Sequence, residues 1–302
     1  MRFLLTIVGA FALHNAAMAA CPPAGITRAD ILALQAVRGE VADHARRQRL
    51  AIGLTDCLSS PDPELRERSS QPSVRIWIRE QKLDVSTLHN LRVSQVAAIK
   101  QHDPAGFAQA FAALVLADLV GADSVKPFLG ESHLAEIMQA GTTYLSGLRD
   151  YRGYDQKEGW RHAVPHASDL LTQLARHQGI GKKNQQIILE AIATQLYAAG
   201  SQTPPQFYQY SEGSRMARTV FSLAERSEIT VAEWDAWFGA FVVTTADRNA
   251  SKPELFARRH NFRSFLMPLY ISLLESKDMA QRERVLASVS KALQQFGAMA
   301  AG

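Results

Sequence analysis

Apolar residues recur at spacings of three and four along nearly the whole chain. Phe107, Phe111 and Leu114 show this spacing in one segment, and Ile188 and Ile192 show it in another. Because residues three and four apart lie on the same face of an α-helix, the pattern predicts amphipathic helices that each bury one face. No convincing run of strict two-residue alternation is present, so a sheet is not expected.

Proline, glycine and capping residues interrupt this pattern at residues 60–63, 103–104, 126–127, 179–181, 203–205 and 252–253. The interruptions leave about ten to twelve helices joined by short turns. This layout favours an all-α fold, a HEAT- or armadillo-like α-solenoid, with a compact irregular α-bundle as the alternative. Residues 21–302 are predicted to form a single α-helical repeat-like domain, and a hydrophobic content of 47% suffices for a large core.

The first 20 residues have the layout of a secretory signal peptide. Arg2 precedes an apolar run from Phe3 to Leu13, and small residues follow. That run is about half of the roughly 20 residues that a membrane-spanning helix needs, so no membrane span is expected. Residues 1–20 are therefore predicted to be a signal peptide, and the mature protein is predicted to be periplasmic or otherwise extracytoplasmic.

The chain has two cysteines, Cys21 and Cys57, and their fates exclude one another. In an oxidising compartment a soluble protein can pair them in a disulfide. Alternatively, Met18 to Cys21 loosely resembles the end of a lipoprotein signal, and Cys21 would then be lipidated and anchored in the envelope. The soluble form is the main prediction, and the lipid-anchored form stays open beside it.

The charge of the chain does not indicate a nucleic-acid partner. Removing residues 1–20, whose charged residue is Arg2, leaves 32 of the 33 basic residues against 29 acidic ones. The densest basic group is Arg46, Arg47 and Arg49, and no aromatic residues alternate with it as a single-strand binding groove requires. We therefore expect no nucleic acid among the partners.

Residues 149–174 hold the highest density of chemically capable side chains. The candidate residues for a binding site or a buried polar network are Asp150, Arg152, Tyr154, Asp155, Glu158, Trp160, His162, His166 and Asp169. Buried networks need many donors and acceptors at once, which by itself accounts for such a density. A structural network and a ligand-binding site therefore both remain open for this segment.

Helical spacing makes a metal site possible within the segment. If residues 162–174 are helical, His162, His166 and Asp169 share one face and can converge on zinc or another transition metal. The glutamate that follows the first histidine in zinc peptidases is absent, because Ala163 occupies that position. Pro165 requires the helix to start near His162, where its missing N–H is harmless. No cofactor is the main expectation, and a metal held by these three residues is the alternative.

The sequence contains no Gly-x-Ser-x-Gly elbow, no phosphate loop and no dinucleotide fingerprint. The sequence does not decide whether the protein is an enzyme, and the absence of these motifs counts against catalysis. The main functional hypothesis is an exported binding or scaffolding module of the bacterial envelope, with a protein or peptide as its partner. The alternative hypothesis is a metal-dependent hydrolase that uses His162, His166 and Asp169.

The central segment also resembles a known family. Arg152-Gly153-Tyr154, followed by Gly159-Trp160-x-His162-Ala163-x-x-His166-x-x-Asp169-Leu170-Leu171, is similar to the signature of the bacterial domain of unknown function 2785. Weaker similarity extends over most of the mature chain, as in residues 62–66 and 265–270. The resemblance implies an all-helical, HEAT-like domain without an established activity. Pro165 and Gln109-Ala110-Phe111 depart from the family pattern.

Overall fold

A computed structural model describes residues 21–245 and 252–298, so the predicted signal peptide lies outside the described residues. Within those ranges the chain forms twelve α-helices and one two-stranded hairpin. The helices are α1 (Arg28–Ala36), α2 (His44–Gly53), α3 (Gln71–Arg79), α4 (Val85–Lys100), α5 (Ala108–Val125), α6 (Glu131–Gly147), α7 (Ala163–Arg176), α8 (Lys182–Gly200), α9 (Glu212–Ala224), α10 (Val231–Thr245), α11 (Pro253–Glu275) and α12 (Met279–Ala298). The strands are β1 (Tyr154–Asp155) and β2 (Gly159–Trp160). The predicted all-α fold is confirmed.

The sequence 60–63 starts a helical segment, as its capping and proline residues predict. Asp62 Oδ1 accepts a hydrogen bond from the backbone N–H of Glu64 at 2.9 Å, which satisfies one of the free donors at the helix start. A π-helical turn, Glu64–Ser70, follows and runs directly into α3. Such turns insert an extra residue into a helix and rotate the side chains that follow. This turn places Arg66 in the interior of the protein.

Alternate helices pack against each other along the chain. Helices α3, α5, α7 and α9 each contact the next in that series, and α11 contacts α9. Helices α4, α6 and α8 form a second series. Consecutive helices such as α4 and α5, or α6 and α7, connect the two series. This alternation is what a repeat of helical pairs requires, while the assignment to a HEAT- or armadillo-like solenoid stays a prediction.

The apolar faces that the sequence predicts are buried. Phe107, Phe111, Ile188 and Ile192 are at most 3% exposed, and the last three belong to one continuous core. Helix α5 is long and apolar enough to cross a membrane by length and composition, but 67% of it is buried within the protein. Burial of that extent is what the central helix of a folded core shows. The helix therefore sits between α3, α4 and α7, at the centre of the fold.

Cys21 and Cys57 are joined by a disulfide, and their Cα atoms lie 4.9 Å apart. Cys57 belongs to a short 3₁₀ turn, Asp56–Ser59, after α2. The bond therefore ties the first described residue to the segment that leads into the π-helical turn. Of the two fates considered for Cys21, the structure contains the disulfide.

Candidate functional site

The dense polar segment forms a short hairpin between α6 and α7. Tyr154 pairs with Trp160 and Asp155 pairs with Gly159 in antiparallel register. Asp155 Oδ1 closes the turn by accepting hydrogen bonds from the backbone N–H groups of residues 157 and 158, both at 2.8 Å. Gly159 has a φ of +74°, and a Cβ there would stand 2.4 Å from Glu67 Oε1. The hairpin therefore needs glycine at this position.

Arg66 fastens this hairpin to the π-helical turn. Its side chain is fully buried, and its guanidinium donates to the carbonyls of Ser60 and Glu158. It also pairs with Glu67 Oε1 at 2.6 Å, and the same oxygen accepts the backbone N–H of Trp160 at 2.7 Å. Burial lowers the pKa of the Arg66 guanidinium, and the contact with Glu67 opposes that change.

The Arg66 guanidinium also contacts an aromatic ring. Arg66 lies over the ring of Phe107 at 3.9 Å from its centroid, and Arg161 approaches the same ring at 4.5 Å. Such contacts of a guanidinium with an aromatic face are favourable, and more so away from water. The buried Arg66 is therefore held by hydrogen bonds, one ion pair and ring contact together.

Four other charged residues of the segment form two ion pairs. Arg152 donates two hydrogen bonds to the carboxylate of Asp150, from Nε to Oδ1 at 2.9 Å and from Nη2 to Oδ2 at 2.6 Å. The same Nη2 also donates to the carbonyl of Pro104 at 3.0 Å. Arg161 donates to Glu158 Oε2 at 2.7 Å. Because the guanidinium groups of Arg152 and Arg161 are each neutralised by a neighbouring carboxylate, neither is left unpaired to hold an ionic ligand.

His162 is the N-cap residue of α7 and has left-handed backbone geometry, with φ of 56°. Trp160 stacks on its imidazole at a centroid distance of 4.2 Å. Its Nε2 lies 2.7 Å from the carbonyl of Tyr210, and because a carbonyl only accepts, Nε2 carries the proton and donates. Burial lowers the pKa of His162. The imidazole therefore ties the start of α7 to the segment before α9.

His166 lies one turn into α7, and its ring is 5.5 Å from that of His162. Pro165 is in the first turn of the helix, as predicted, where it removes no required hydrogen bond. Burial, helped by the neighbouring His162 and Arg215, holds the pKa of His166 well below its ordinary value. The imidazole is therefore neutral, and its Nδ1 has no hydrogen-bond partner in the part of the chain that the structure describes.

Asp169, the third residue of the predicted metal site, is bound to Arg215. Nη1 of Arg215 contacts both carboxylate oxygens, at 2.7 and 2.6 Å. Within residues 21–245 and 252–298, no three His, Cys, Asp or Glu side chains form a group that could hold a metal ion. In this geometry His162 Nε2 and Asp169 are already engaged by protein groups, and zinc at His162, His166 and Asp169 stays a prediction that metal analysis of the purified protein can test.

His166 and Asp169 border a cleft of about 400 Å³ that opens across α3, α5, α7 and α9. Seven charged side chains line it, and we refer to it as the arginine cleft: Arg75, Arg79, Arg176, Arg215, Arg218, Asp118 and Asp169. Five guanidinium groups against two carboxylates leave an excess of three positive charges when both aspartates are ionised. The successive packing of the four helices brings these residues together from positions spread over more than 140 residues of sequence.

The guanidinium groups of the arginine cleft differ in how far they are neutralised. Arg79 donates to Asp118 Oδ1 at 2.7 Å, and Arg75 lies 3.9 Å from the same oxygen. Arg176 donates through Nε to the Ser222 hydroxyl at 2.9 Å and has no carboxylate partner within residues 21–245 and 252–298. Arg218 is exposed and forms no hydrogen bond or ion pair with residues that the structure describes. Positive charge is thus concentrated on the α7 and α9 side of the cleft.

Asp118 is the most deeply placed charge in the cleft, with 4% of its side chain exposed. Burial raises the pKa of this carboxyl to about 6, although Arg79 and Arg75 lower it, and Asp169 adds to the rise. Strongly shifted carboxyl groups in clefts are typical of functional sites. Asp118 therefore sits in the cleft at a free-energy cost that its two arginine neighbours do not offset.

Sequence reasoning identified His166 and Asp169 but missed the arginines and Asp118. Two signals for them are present. Asp118 is an acidic residue in the otherwise apolar central part of α5, and Arg75 and Arg79 are four residues apart on α3. Neither signal indicates a partner helix, so the sequence alone does not bring them to one cleft.

A family model described as protein of unknown function (DUF2785) matches residues 96–271. That range contains α5, α7 and α9 with Asp118, Asp169 and three of the cleft arginines, whereas Arg75 and Arg79 precede it. Searches of curated proteins and of solved structures gave no significant match. Because the matched range covers more than half of the 302 residues, the chain belongs to the DUF2785 family.

Proposed function

We propose that this protein is an exported binding protein that holds a compact anionic ligand in the arginine cleft. The observation that carries the proposal is the excess of three positive charges in one concave site of about 400 Å³. Guanidinium groups bind carboxylate and phosphate through paired N–H donors, and a cleft wall of low dielectric strengthens that attraction. This proposal keeps the expected binding role and moves it from the hairpin to the cleft next to it.

The hairpin has a supporting role in this proposal. Phe111 contacts both His166, with ring centroids 5.1 Å apart, and Arg66, whose guanidinium carbon lies 5.2 Å from the Phe111 ring centroid. His166 in turn lines the cleft. Side chains that are locked by packing hold a binding site in fixed geometry. The polar network around Arg66 thus supports the wall from which Asp169 and Arg176 project.

The unpaired arginines give the direct test of anion binding. In Arg176→Gln and Arg218→Gln variants, affinity for the best anion among phosphate, sulfate and citrate is expected to fall about tenfold each, since a charged hydrogen bond contributes about 1.5 kcal/mol. Isothermal titration calorimetry at constant ionic strength measures this change. Both side chains are exposed, so folding should be retained.

Arg49 provides the matched control, because it is exposed on α2 and does not line the cleft. Arg49→Gln removes the same charge and should leave affinity unchanged. If none of the three anions binds, the proposed function is wrong. If all three variants lose affinity equally, the attraction is a property of the whole surface and the proposed site is wrong.

Export has its own test. The proposal is supported by the signal-like residues 1–20 and by the Cys21–Cys57 disulfide, since such bonds persist in oxidising compartments. The intact mass of protein from the native host is expected to correspond to a chain that starts at Cys21 with both cysteines oxidised. A diacylglycerol-sized increment on Cys21 would select the lipid-anchored form, and an uncleaved chain in the cytoplasm would refute export.

A further inference from the structure

The arginine cleft contains a hydrogen-bond acceptor among its cationic donors, and that acceptor restricts which anions fit. Arginine side chains only donate, whereas an ionised carboxylate only accepts. Asp118 Oδ1 accepts the hydrogen bond of Arg79 and lies 3.9 Å from Arg75, whereas Oδ2 accepts no hydrogen bond from residues that the structure describes. An anion that settles among these arginines therefore meets a carboxylate oxygen without a partner.

Asp169 does not present the same feature. Both of its oxygens are already bound to Nη1 of Arg215, at 2.7 and 2.6 Å. Asp118 is also the more buried of the two, with 4% of its side chain exposed against 21% for Asp169. A ligand group close to Asp118 is consequently in a less hydrated place, where an unpaired acceptor or a like charge is more unfavourable.

The chemistry of tetrahedral anions then decides which of them Asp118 accepts. Free phosphate keeps one P–O–H donor at neutral pH while it carries negative charge, and a phosphomonoester, whose second pKa is about 6, does so near that pH. Sulfate has the same shape and no proton to donate under these conditions. Facing Asp118 Oδ2, sulfate would place oxygen against oxygen, whereas a protonated phosphate oxygen would donate to it.

We propose that the arginine cleft selects phosphate groups, free or as phosphomonoesters, over sulfate, with Asp118 Oδ2 accepting the hydrogen bond of the phosphate P–O–H. Arg75, 3.9 Å from Asp118 Oδ1, and the unpaired Arg176 and Arg218 supply donors to the remaining phosphate oxygens. The carboxylate thus works by rejecting the wrong anion as much as by binding the right one. This inference rests on the proposed anion-binding function.

The cleft has room for more than the phosphate itself. Leu114 and Ala117 of α5 line the cleft with apolar groups. Gln71 of α3 and Gln173 of α7 line it with neutral polar groups. Clefts of about 300–1,000 Å³ are typical of small-molecule sites. Free phosphate and a small phosphomonoester share the recognised group, so the experiment includes both.

The test compares phosphate with sulfate by calorimetry at pH 7.5, and phenyl phosphate with phenyl sulfate at pH 6.5, where a share of the monoester keeps its P–O–H, both at constant ionic strength. The wild-type protein is expected to bind the phosphate member of at least one pair tenfold more tightly or better, because sulfate offers no donor to the carboxylate of Asp118, whose side chain is 4% exposed. In Asp118→Asn the ratio should fall to about one, since the amide can donate to either anion. Preference within the phenyl pair alone would identify a phosphomonoester as the ligand.

Three outcomes distinguish a failure of the proposed anion binding from a failure of the proposed phosphate selection or of the role given to Asp118. If no anion binds, the proposed function itself is wrong. If phosphate and sulfate bind equally well and both depend on Arg218, anion binding stands and the selection is wrong. If Asp118→Asn keeps the full phosphate preference, Asp118 is not the acceptor. Glu190→Gln, which changes an exposed carboxylate on α8, is the matched control and should preserve the ratio.

Discussion

Arg66→Met is expected to lower the free energy of unfolding by about 3–5 kcal/mol, the range observed when one partner of a buried charged network is removed. Methionine has a similar length but no donors. The carbonyls of Ser60 and Glu158 would lose their guanidinium partner in a dry interior, and Glu67 would lose its ion pair. Urea denaturation followed by circular dichroism measures the change.

The loss of stability in Arg66→Met should appear first in the hairpin and only then in the rest of the fold. Because Arg66 connects the π-helical turn to the hairpin, amide hydrogen exchange should speed up first at residues 154–160. Arg68→Met is the matched control, since Arg68 is 63% exposed and makes an i,i+4 pair with Glu64. It should change stability by less than about 0.5 kcal/mol. Equal effects of the two substitutions would contradict the structural role given to Arg66.

Asp118→Asn is expected to stabilise the protein by about 3 kcal/mol at pH 8. The pKa of Asp118 is about 6 in the folded state against 3.8 ordinarily, and this difference corresponds to about 3 kcal/mol. Arg79, its closest partner, is 49% exposed and stays hydrated when the charge is removed. Thermal and urea unfolding of both proteins at several pH values measure the gain.

Proton linkage determines how the stability difference between the two proteins changes with pH. The folded state holds the Asp118 proton more tightly than the unfolded state, so this carboxyl destabilises the fold fully above about pH 6 and not at all well below pH 3.8. The advantage of asparagine should therefore shrink to less than about 1 kcal/mol at pH 4. Glu190→Gln should show no such pH-dependent gain. An Asp118→Asn protein that is less stable than wild type at pH 8 would show that the two arginines overcompensate burial.

A stabilising substitution at Asp118 would have a functional meaning. Residues that serve binding often reduce stability, because their charges are placed for a ligand and not for the fold. The same variant is expected to lose discrimination between phosphate and sulfate. Replacing one carboxylate oxygen of Asp118 would then raise the stability of the protein and abolish its selectivity for phosphate. A carboxylate with a purely structural role would not produce this combination.

The helices could be predicted from the sequence because they depend on local periodicity. Phe107, Phe111, Ile188 and Ile192 repeat at helical spacing, and all four are buried. Pro165 located the start of α7 to within a residue, since proline costs nothing in the first turn and is unfavourable further along a helix. The family assignment rested on the signature at 152–171 and is confirmed by the match over residues 96–271.

The candidate site was only partly predictable. Its chemically dense segment was identified, but most of those residues neutralise or cap one another, as Asp150 and Arg152 do. His166 and Asp169 face the cleft, and Asp169 is paired with Arg215, which lies 46 residues further along the chain. Nothing in the spacing of Asp169 indicated that partner, because ion pairs between helices depend on which helices are neighbours.

The sequence by itself determined the helical class, six of the positions at which helices are interrupted, and the family. The helices and their interruptions follow from interactions between residues close in the chain, where periodicity and capping act. Only the tertiary structure decided that Arg75, Arg79, Asp118, Arg176, Arg215 and Arg218 share one cleft. Packing of α3, α5, α7 and α9 against each other brings these charges together, and that packing depends on how whole helix surfaces fit, which no local pattern encodes.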